Sequence, residues 1–265
     1  VNTGSKKLVI ISHGLEGSSD RGYMKGMARV FSQNGFDALT WNFRGCSEEI
    51  NRLPRFYHSG ATEDLETVVS HAANQGYEEI NLVGFSLGGN LTLKYLGEKD
   101  RPQIHRGVAF SVPLNLHTSC IKISEQSNFL YSRRFLRNLK AKIRAKANQM
   151  PDKIKLNGIS SINTLMAFDD QYTAPLHGFK DAIDYYESCS AINFLSAIKK
   201  PTLIVNAAND PFLSKDCYPK QSLKNHPHVQ FEMPAHGGHV GFTQFGNDNI
   251  YWSESRALQF IKAGE

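Results

Sequence analysis

The stretch INLVGFSLGGN, residues 80–90, decides the fold of this 265-residue chain. It opens with a β-rich apolar run at 80–83, passes through Gly84-Phe85-Ser86-Leu87-Gly88, and continues with a helical pattern. A G-x-S-x-G sequence between a strand and a helix is typical of a strained turn that exposes a nucleophilic serine above a sheet. Glycine is favoured at both flanks because neighbouring backbone approaches too closely for a Cβ atom. The pattern therefore predicts that Ser86 is a nucleophile.

Short β-rich runs alternate with amphipathic stretches along the rest of the chain. Further strands are predicted at 8–11, 38–41, 107–110, 202–205 and 229–231. Helices are predicted at 24–33, at 62–73, directly after Ser86 and at 252–261. Several of the strands are near-continuous apolar runs, which indicates burial on both faces. The alternation predicts an α/β fold, with a mostly parallel central sheet flanked by helices.

The segment 113–200 interrupts this alternation, because it is too long for a simple crossover between strands. Its middle, 129–147, is helical and basic, whereas 168–195 is aromatic and acidic. Long insertions in compact domains commonly serve as active-site lids. We therefore expect residues 1–265 to form a single domain in which 113–200 is a helical cap over the carboxyl edge of the sheet.

Composition restricts the class of protein. The chain is 40% hydrophobic and 21% charged, which is ordinary for a globular domain, and no apolar run is long enough to predict a membrane span. The four cysteines have no C-x-x-C spacing, so free thiols in a reducing compartment are expected. The first ten residues lack signal-peptide architecture, which favours a cytoplasmic protein. Because the chain lacks an initial Met and reaches an active-site motif early, we expect that an N-terminal segment is missing.

The net charge of +5 is concentrated in one stretch. Asp152 is the single acidic residue among nine basic ones: Arg133, Arg134, Arg137, Lys140, Lys142, Arg144, Lys146, Lys153 and Lys155. Such runs are usually a solvated helix face, which is the preferred interpretation. The alternative is weak contact with an anionic lipid surface, which would make the protein membrane-peripheral. Nucleic-acid binding is not expected, because no aromatic interleaving or binding motif accompanies the charge.

A serine hydroxyl is a weak nucleophile and needs a base, which in this kind of site follows an acidic residue along the chain. Asp210 comes just after the predicted strand at 202–205 and is the candidate acid. His239 lies in a glycine-rich loop after the last strand, which can carry it back over Ser86. His236 in the same loop is the competing base. A metal pair formed by the two histidines is not favoured, since no third ligand is evident.

A tetrahedral intermediate also needs backbone N–H groups that donate hydrogen bonds to its negative oxygen. The residue after the nucleophile, Leu87, is one predicted donor, and the loop 12–19 supplies the other. Leu15 is the preferred donor in that loop, with Glu16 as the alternative. We interpret His13 as a structural ring that holds the loop.

Several other reactive side chains receive structural interpretations. Arg44 follows a strand and is predicted to anchor a turn through an ion pair. Cys46 has no base of its own, which argues against a nucleophilic role. The pair Asp169-Asp170 could bind a metal, but packing or helix capping is favoured. His58 and His177 have no predicted task.

Motifs spread over nearly the whole chain resemble the AB hydrolase 4 family, the YheT-like branch of the α/β hydrolases. They are HGLEGSS (13–19), NFRGCS (42–47), YHSGATEDL (57–65), GFSLGGN (84–90), FDDQYTAPLHGFKDAIDYY (168–186), AANDPF (207–212) and GGHVGF (237–242). The resemblance implies that Ser86, Asp210 and His239 are nucleophile, acid and base in the hydrolysis of carboxylic esters. Relatives act on medium-chain acyl esters or phospholipids, and some transfer acyl groups to alcohols. One departure is Glu48, where the family pattern has glycine.

Together these observations predict a serine carboxylic ester hydrolase, similar to carboxylesterases and lipases. It would form an acyl-enzyme on small-molecule esters with short- to medium-chain acyl groups, without cofactor or metal. An acyltransferase would use the same residues with an alcohol in place of water, and a non-catalytic binding protein on this fold is the third alternative. The sequence carries no signal for an oligomeric state.

Overall fold

The computed structural model describes residues 4–244 and 249–263. Residues 1–3, which belong to the N-terminal stretch discussed above, lie outside this range. The strands are β1 (Lys7–Ser12), β2 (Asp37–Trp41), β3 (Glu79–Phe85), β4 (Ile104–Phe110), β5 (Thr202–Val205) and β6 (Val229–Glu232). The helices are α1 (Gly22–Ser32), α2 (Thr62–Asn74), α3 (Leu87–Glu98), α4 (Leu116–Ile123), α5 (Phe129–Gln149), α6 (Leu165–Phe168), α7 (Ala174–His177), α8 (Ala182–Cys189), α9 (Lys220–Leu223) and α10 (Trp252–Lys262). Asp169–Thr173 forms a π-helical turn between α6 and α7.

The six strands form one sheet in the order β2-β1-β3-β4-β5-β6, and every pairing is parallel. Strand β3, which leads into Ser86, lies in the interior of the sheet, with Val83 paired to Ile11 on one side and to Val108 on the other. All carboxyl ends therefore meet at one edge, where ligands bind in open α/β sheets. This arrangement confirms the predicted α/β fold with a mostly parallel central sheet, and each predicted strand and helix is present.

Helices cover both faces of the sheet, as the continuous apolar runs predict. Side chains of β3 alternate between two buried clusters: Leu82 joins α2 and α3 in one, and Val83 joins α1 and α10 in the other. Because successive strand residues point to opposite faces, a run that is apolar at every position requires cover on both sides. The two clusters hold β3 firmly beneath Ser86.

The segment 113–200 contains α4 to α8 and packs on the face that carries α3. Asn90 of α3 joins the two parts, since its Oδ1 accepts the Ala191 N–H at 2.8 Å and its Nδ2 donates to the Cys189 carbonyl at 2.8 Å. Many of the segment's aromatic rings are buried, including Phe168 and Tyr172. Among the described residues, no helix has the length and apolarity needed to cross a lipid bilayer.

The basic stretch on α5 is a solvated face only in part, which corrects the preferred sequence interpretation. Lys142 forms an ion pair with Glu16 at 2.6 Å, and both side chains are largely shielded from solvent. Lys146 is fully buried and donates to the Leu53 carbonyl at 2.6 Å. Burial lowers the pKa of Lys146 to about 8. Lys140 donates to backbone carbonyls of Ser160 and Ile162. Long lysine stems can cross apolar surface to reach such acceptors, which a charge count does not reveal.

Glycines at the turn after β3 leave no room for a side chain. A Cβ atom at Gly88 would lie 2.5 Å from the carbonyl oxygens of both Ser12 and His13, and one at Gly84 would lie 2.3 Å from the Gly88 carbonyl oxygen. The end of β1 and the start of α3 therefore depend on glycine for their close approach.

We predict that Gly88→Ala destabilises the protein by about 3 kcal/mol or more, because the added methyl group meets backbone that cannot rotate away. Gly22→Ala is the matched control, since a Cβ atom there meets nothing within 4 Å and Gly22 begins a helix. Urea unfolding followed by circular dichroism measures both. Equal midpoints for the two variants would contradict this account of the turn.

Candidate active site

Ser86 lies between β3 and α3 in a strained backbone conformation, with φ 53° and ψ −117°. Its N–H donates to the Phe110 carbonyl of β4 at 2.8 Å, which ties the turn to the neighbouring strand. Non-glycine residues held at such angles cost of order 1–3 kcal/mol and are found mainly at functional sites. The strain presents the Ser86 side chain at the carboxyl edge of the sheet.

The structure brings Ser86, His239 and Asp210 together across more than a hundred residues of chain. His239 Nε2 lies 2.9 Å from Ser86 Oγ, and His239 Nδ1 lies 2.9 Å from Asp210 Oδ2. The Asp210 side chain has no solvent exposure, and its Oδ1 also accepts the Phe212 N–H at 2.9 Å. A carboxylate beside Nδ1 favours the proton on that nitrogen, which leaves the Nε2 lone pair facing the Ser86 hydroxyl. The arrangement can therefore draw a proton from Ser86.

The loop around His239 is held in place by its own hydrogen bonds. The Gly238 N–H donates to Asn209 Oδ1, and the Val240 N–H donates to Ser111 Oγ, each at 2.9 Å. The ring of Phe212 packs against the imidazole with its centroid 4.4 Å away. His236 is exposed and has no hydrogen-bond partner within the described part of the chain. Of the two histidines, His239 is the one that reaches Ser86.

Two backbone N–H groups beside Ser86 are free to donate hydrogen bonds to a negatively charged oxygen. Those of Leu15 and Leu87 have no acceptor among residues 4–244 and 249–263, and both residues line the pocket above Ser86. The alternative donor, the Glu16 N–H, is already bound to the Tyr57 hydroxyl at 2.9 Å. Gly14 brings this loop against the nucleophile, since a Cβ atom there would lie 3.3 Å from the Ser86 Cβ. Leu15 and Leu87 therefore remain the candidate donors.

His13 and Arg44 have the structural roles that the sequence predicts. His13 Nδ1 contacts the Gly14 carbonyl at 2.7 Å, and the Phe43 N–H donates to its Nε2 at 3.2 Å. Burial lowers the pKa of His13 to about 4, so the ring is neutral at physiological pH. Arg44 forms a bidentate pair with Asp64, with a shortest distance of 2.6 Å. Such forked pairs are geometrically specific, and this one anchors the turn after β2 to α2.

A pocket opens above Ser86. One part of its wall is apolar and comes from α4, α5, α6 and the loop after β5: Leu116, Ile123, Phe135, Leu139, Leu165, Phe212 and Leu213. Another part is polar and comes from the segment before α2, the π-helical turn and α8: Tyr57, His58, Ser59, Asp169, Thr173, Tyr185 and Tyr186. The polar part was not predicted as site residues, although the quoted motifs at 57–65 and 168–186 contain all of it.

Comparisons with known proteins agree with this architecture. The family model described as "alpha/beta hydrolase fold" matches residues 7–244. The putative esterase YheT of Escherichia coli is 37% identical over 97% of this chain and 76% of its own length. A monoacylglycerol lipase of Saccharomyces cerevisiae is 27% identical over 97% of this chain and 59% of its own length.

The chain belongs to the α/β-hydrolase fold family, and within it to the YheT-like branch. Among solved structures, an esterase of Pyrococcus furiosus superposes with a TM-score of 0.65 at 20% identity, covering 99% of this chain and 84% of that one. At this identity, the similarity to the solved structure shows a shared fold only.

The polar wall of this α/β hydrolase contains an unusual carboxyl group. Asp169 Oδ2 accepts the Tyr186 hydroxyl at 2.7 Å, and its Oδ1 accepts the Thr173 hydroxyl at 2.5 Å. Burial raises the pKa of Asp169 to about 6 in spite of these two donors. Its neighbour Asp170 is exposed and accepts the Ala182 N–H at the start of α8. The acidic pair therefore packs and caps, as the sequence analysis favours.

His58 of the same wall packs against His177, with ring centroids 4.6 Å apart and ring planes tilted by 58°. His58 Nδ1 accepts the Gly60 N–H at 3.2 Å, while its Nε2 has no partner in the described part of the hydrolase. Burial lowers the pKa of His58 to about 3, so its ring is neutral. His177 contacts two backbone carbonyls, those of Thr173 at 2.6 Å and Phe56 at 2.7 Å. It therefore links the π-helical turn to the segment before α2.

The four cysteines of the hydrolase are free thiols, and three of them are buried. Burial raises the pKa of Cys46 to about 11, which keeps this thiol protonated and poorly nucleophilic at neutral pH. Within the described ranges, no three His, Cys, Asp or Glu side chains are grouped so that they could hold a metal ion.

The raised pKa of Asp169 gives a prediction about stability. The native state holds this proton up to about pH 6, whereas an unfolded Asp loses it near pH 4. The free energy of unfolding should therefore fall as the pH rises between these values, by up to about 3 kcal/mol. Asp169→Asn, which cannot ionise, should lose this dependence. Urea titrations at several pH values measure it, with Asp170→Asn as the exposed neighbouring control. A parental pH slope in Asp169→Asn would show that the carboxyl is not the cause.

Proposed function

We propose that this α/β hydrolase is a serine carboxylic ester hydrolase in which Ser86, His239 and Asp210 form the catalytic triad. The observation that carries the proposal is the contact of 2.9 Å between His239 Nε2 and the strained Ser86 hydroxyl, with Asp210 on the other ring nitrogen. Nucleophile, base and orienting acid in this geometry are the common pattern of acyl transfer through serine. The relatives named as an esterase and as a lipase support the ester hydrolase class.

In the proposed mechanism, His239 Nε2 takes the hydroxyl proton while Ser86 Oγ attacks the acyl carbon of the ester. The carbonyl oxygen becomes negative and accepts hydrogen bonds from the backbone N–H groups of Leu15 and Leu87, which are already fixed in place. The imidazolium then returns its proton to the leaving alcohol, and an acyl-enzyme remains. Water, deprotonated by His239, then attacks the acyl carbon, and the imidazolium returns this proton to Ser86 Oγ as the bond to the serine breaks and the acid leaves. Asp210 holds the Nδ1 proton and stabilises the imidazolium in both half-reactions.

We propose that the segment 113–200 is a cap that shapes the substrate pocket. It contributes most of the apolar wall, which includes Leu116, Ile123, Leu139 and Leu165. Aliphatic side chains of this kind favour a hydrocarbon chain over a polar group. The proposed substrates are therefore esters with short- to medium-chain acyl groups. No cofactor has a part in the proposed mechanism.

Replacing Ser86 by Ala should lower turnover by a factor on the order of a million, because the nucleophile is lost while the volume hardly changes. The rate is measured with p-nitrophenyl butyrate, and labelling by a fluorophosphonate probe should disappear in parallel. Urea unfolding verifies that the variant is folded. Activity within tenfold of the parent would exclude Ser86 as the nucleophile.

The two histidines of the loop give a matched pair of variants. His239→Ala should reduce turnover about as strongly as Ser86→Ala, because members of a triad act as one unit. His236→Ala should leave turnover within about tenfold, since this exposed ring has no contact with Ser86. The same ester assay decides between them, and an inactive His236→Ala beside an active His239→Ala would reverse the assignment.

Acyl length is the third test. Each methylene group buried against the apolar wall contributes about 0.8 kcal/mol, or roughly fourfold in catalytic efficiency where it is realised in the transition state. We expect kcat/KM for p-nitrophenyl esters to rise from acetyl to about octanoyl, because the apolar wall can cover several methylene groups of the acyl chain. All esters are compared below their solubility limits. A steady decline from acetyl upward would contradict an acyl-binding role for this wall.

A further inference from the structure

Four large hydrophobic side chains are exposed together where α4 leads into α5. Ile121 is 51% exposed, Phe129 53%, Leu130 78% and Tyr131 52%. The amide of Asn128 draws the two helices together, because its Nδ2 donates to the Lys122 carbonyl at 3.0 Å. We call these four residues the α4–α5 patch. Single exposed apolar residues are ordinary, whereas four of them at one junction between helices indicate a surface that is covered in function.

Positive charge borders the patch without a carboxylate to neutralise it. Arg133, Arg134 and Arg137 follow on α5, which contains no acidic residue, and all three are exposed. None has an Asp or Glu oxygen within 4 Å among the residues that the structure describes. The nearby Glu125 is already paired with Lys122 at 2.6 Å. Lys142 and Lys146 are bound within the protein, so the arginines at this end of α5 are the charges available to a ligand.

The patch also adjoins the catalytic site. Tyr131 packs edge-on against Phe212 with ring centroids 4.9 Å apart, and Phe212 packs against His239 at 4.4 Å. Asn128 Nδ2 donates to the carbonyl of Pro211, the residue that follows Asp210, at 2.8 Å. One aromatic ring therefore separates the patch from the proposed general base, and Phe212 itself lines the pocket.

We propose that the α4–α5 patch and the three arginines dock the enzyme on an anionic lipid bilayer. The apolar side chains would enter the boundary between head groups and acyl chains, while the guanidinium groups meet lipid phosphates. Each basic residue near such a surface strengthens binding through its attraction to the anionic head groups. A second copy of this chain is a poor occupant, because the two sets of arginines would repel each other. The proposal rests on the proposed ester hydrolysis, since docking here would place the pocket next to membrane-bound esters.

The test measures sedimentation of the enzyme with vesicles of phosphatidylcholine, either pure or mixed with phosphatidylglycerol. The parent should bind the anionic vesicles and release as salt increases, because screening weakens the arginine contacts. Leu130→Asp should weaken this binding at least about tenfold, since it removes an apolar anchor and adds a like charge to the membrane. The double variant Arg133→Glu/Arg134→Glu should bind both vesicle types equally weakly. Ile183→Asp and Lys224→Glu, exposed residues outside the patch, are the matched controls and should bind as the parent does.

Hydrolysis of a soluble short ester separates this proposal from the proposed function. The patch variants should retain the parental rate on p-nitrophenyl acetate within about twofold, because Leu130, Arg133 and Arg134 do not line the pocket. Failure of the parent to bind anionic vesicles, or equal binding by the parent and the patch variants, would overturn the docking surface while leaving the hydrolase assignment intact. An enzyme that binds vesicles but hydrolyses no ester would instead refute the proposed function.

Discussion

The close approach of three backbone segments around Ser86 is the constraint on which the rest of the site depends. Gly88 allows the end of β1 to touch the start of α3, and Gly84 lets the turn fold back on itself. The bond from the Ser86 N–H to the Phe110 carbonyl then fixes the turn against β4. Because these contacts are backbone contacts within a buried sheet, they hold Ser86 in a conformation that an isolated peptide would leave. The parallel arrangement of strands delivers Asp210 and His239 to the same edge.

Much of this could be predicted from the sequence, for physical reasons that differ between elements. The strands were identifiable because residues covered on both faces are apolar at successive positions, as at 8–11. Ser86, Asp210 and His239 could be found because a local turn signature marks the first, and strand ends followed by polar or glycine-rich loops mark the others. From the sequence, His239 could be preferred over His236 only because its place in the loop after the last strand fits the usual position of the base in this kind of site. The structure gives the physical difference, a hydrogen bond to Ser86 in one case and an exposed ring in the other.

The rest depends on contacts between residues far apart in the chain, which local patterns do not encode. Lysines of α5 looked like a solvated face because charge is usually exposed, yet the buried Lys146 donates to a backbone carbonyl more than ninety residues away. The polar wall of the pocket contains both His58 and Tyr185, which lie on opposite sides of Ser86 in the sequence. The residues at the start of α5 are apolar, so the sequence alone would place them in the core. The structure shows that no other part of the described chain covers them.

The ion pair between Lys142 and Glu16 has a consequence for access to the pocket. Glu16 adjoins Leu15 in the proposed oxyanion loop, and its Oε1 also accepts the Tyr57 hydroxyl at 2.7 Å. Helix α5, which forms part of the pocket roof, is therefore fastened to the loop that would stabilise the reaction's negative charge. The helix cannot swing outward without breaking this ion pair. Opening the pocket at α5 would leave the largely shielded Glu16 carboxylate without its counter-charge, so this side of the roof is held closed by charge as well as by apolar contacts.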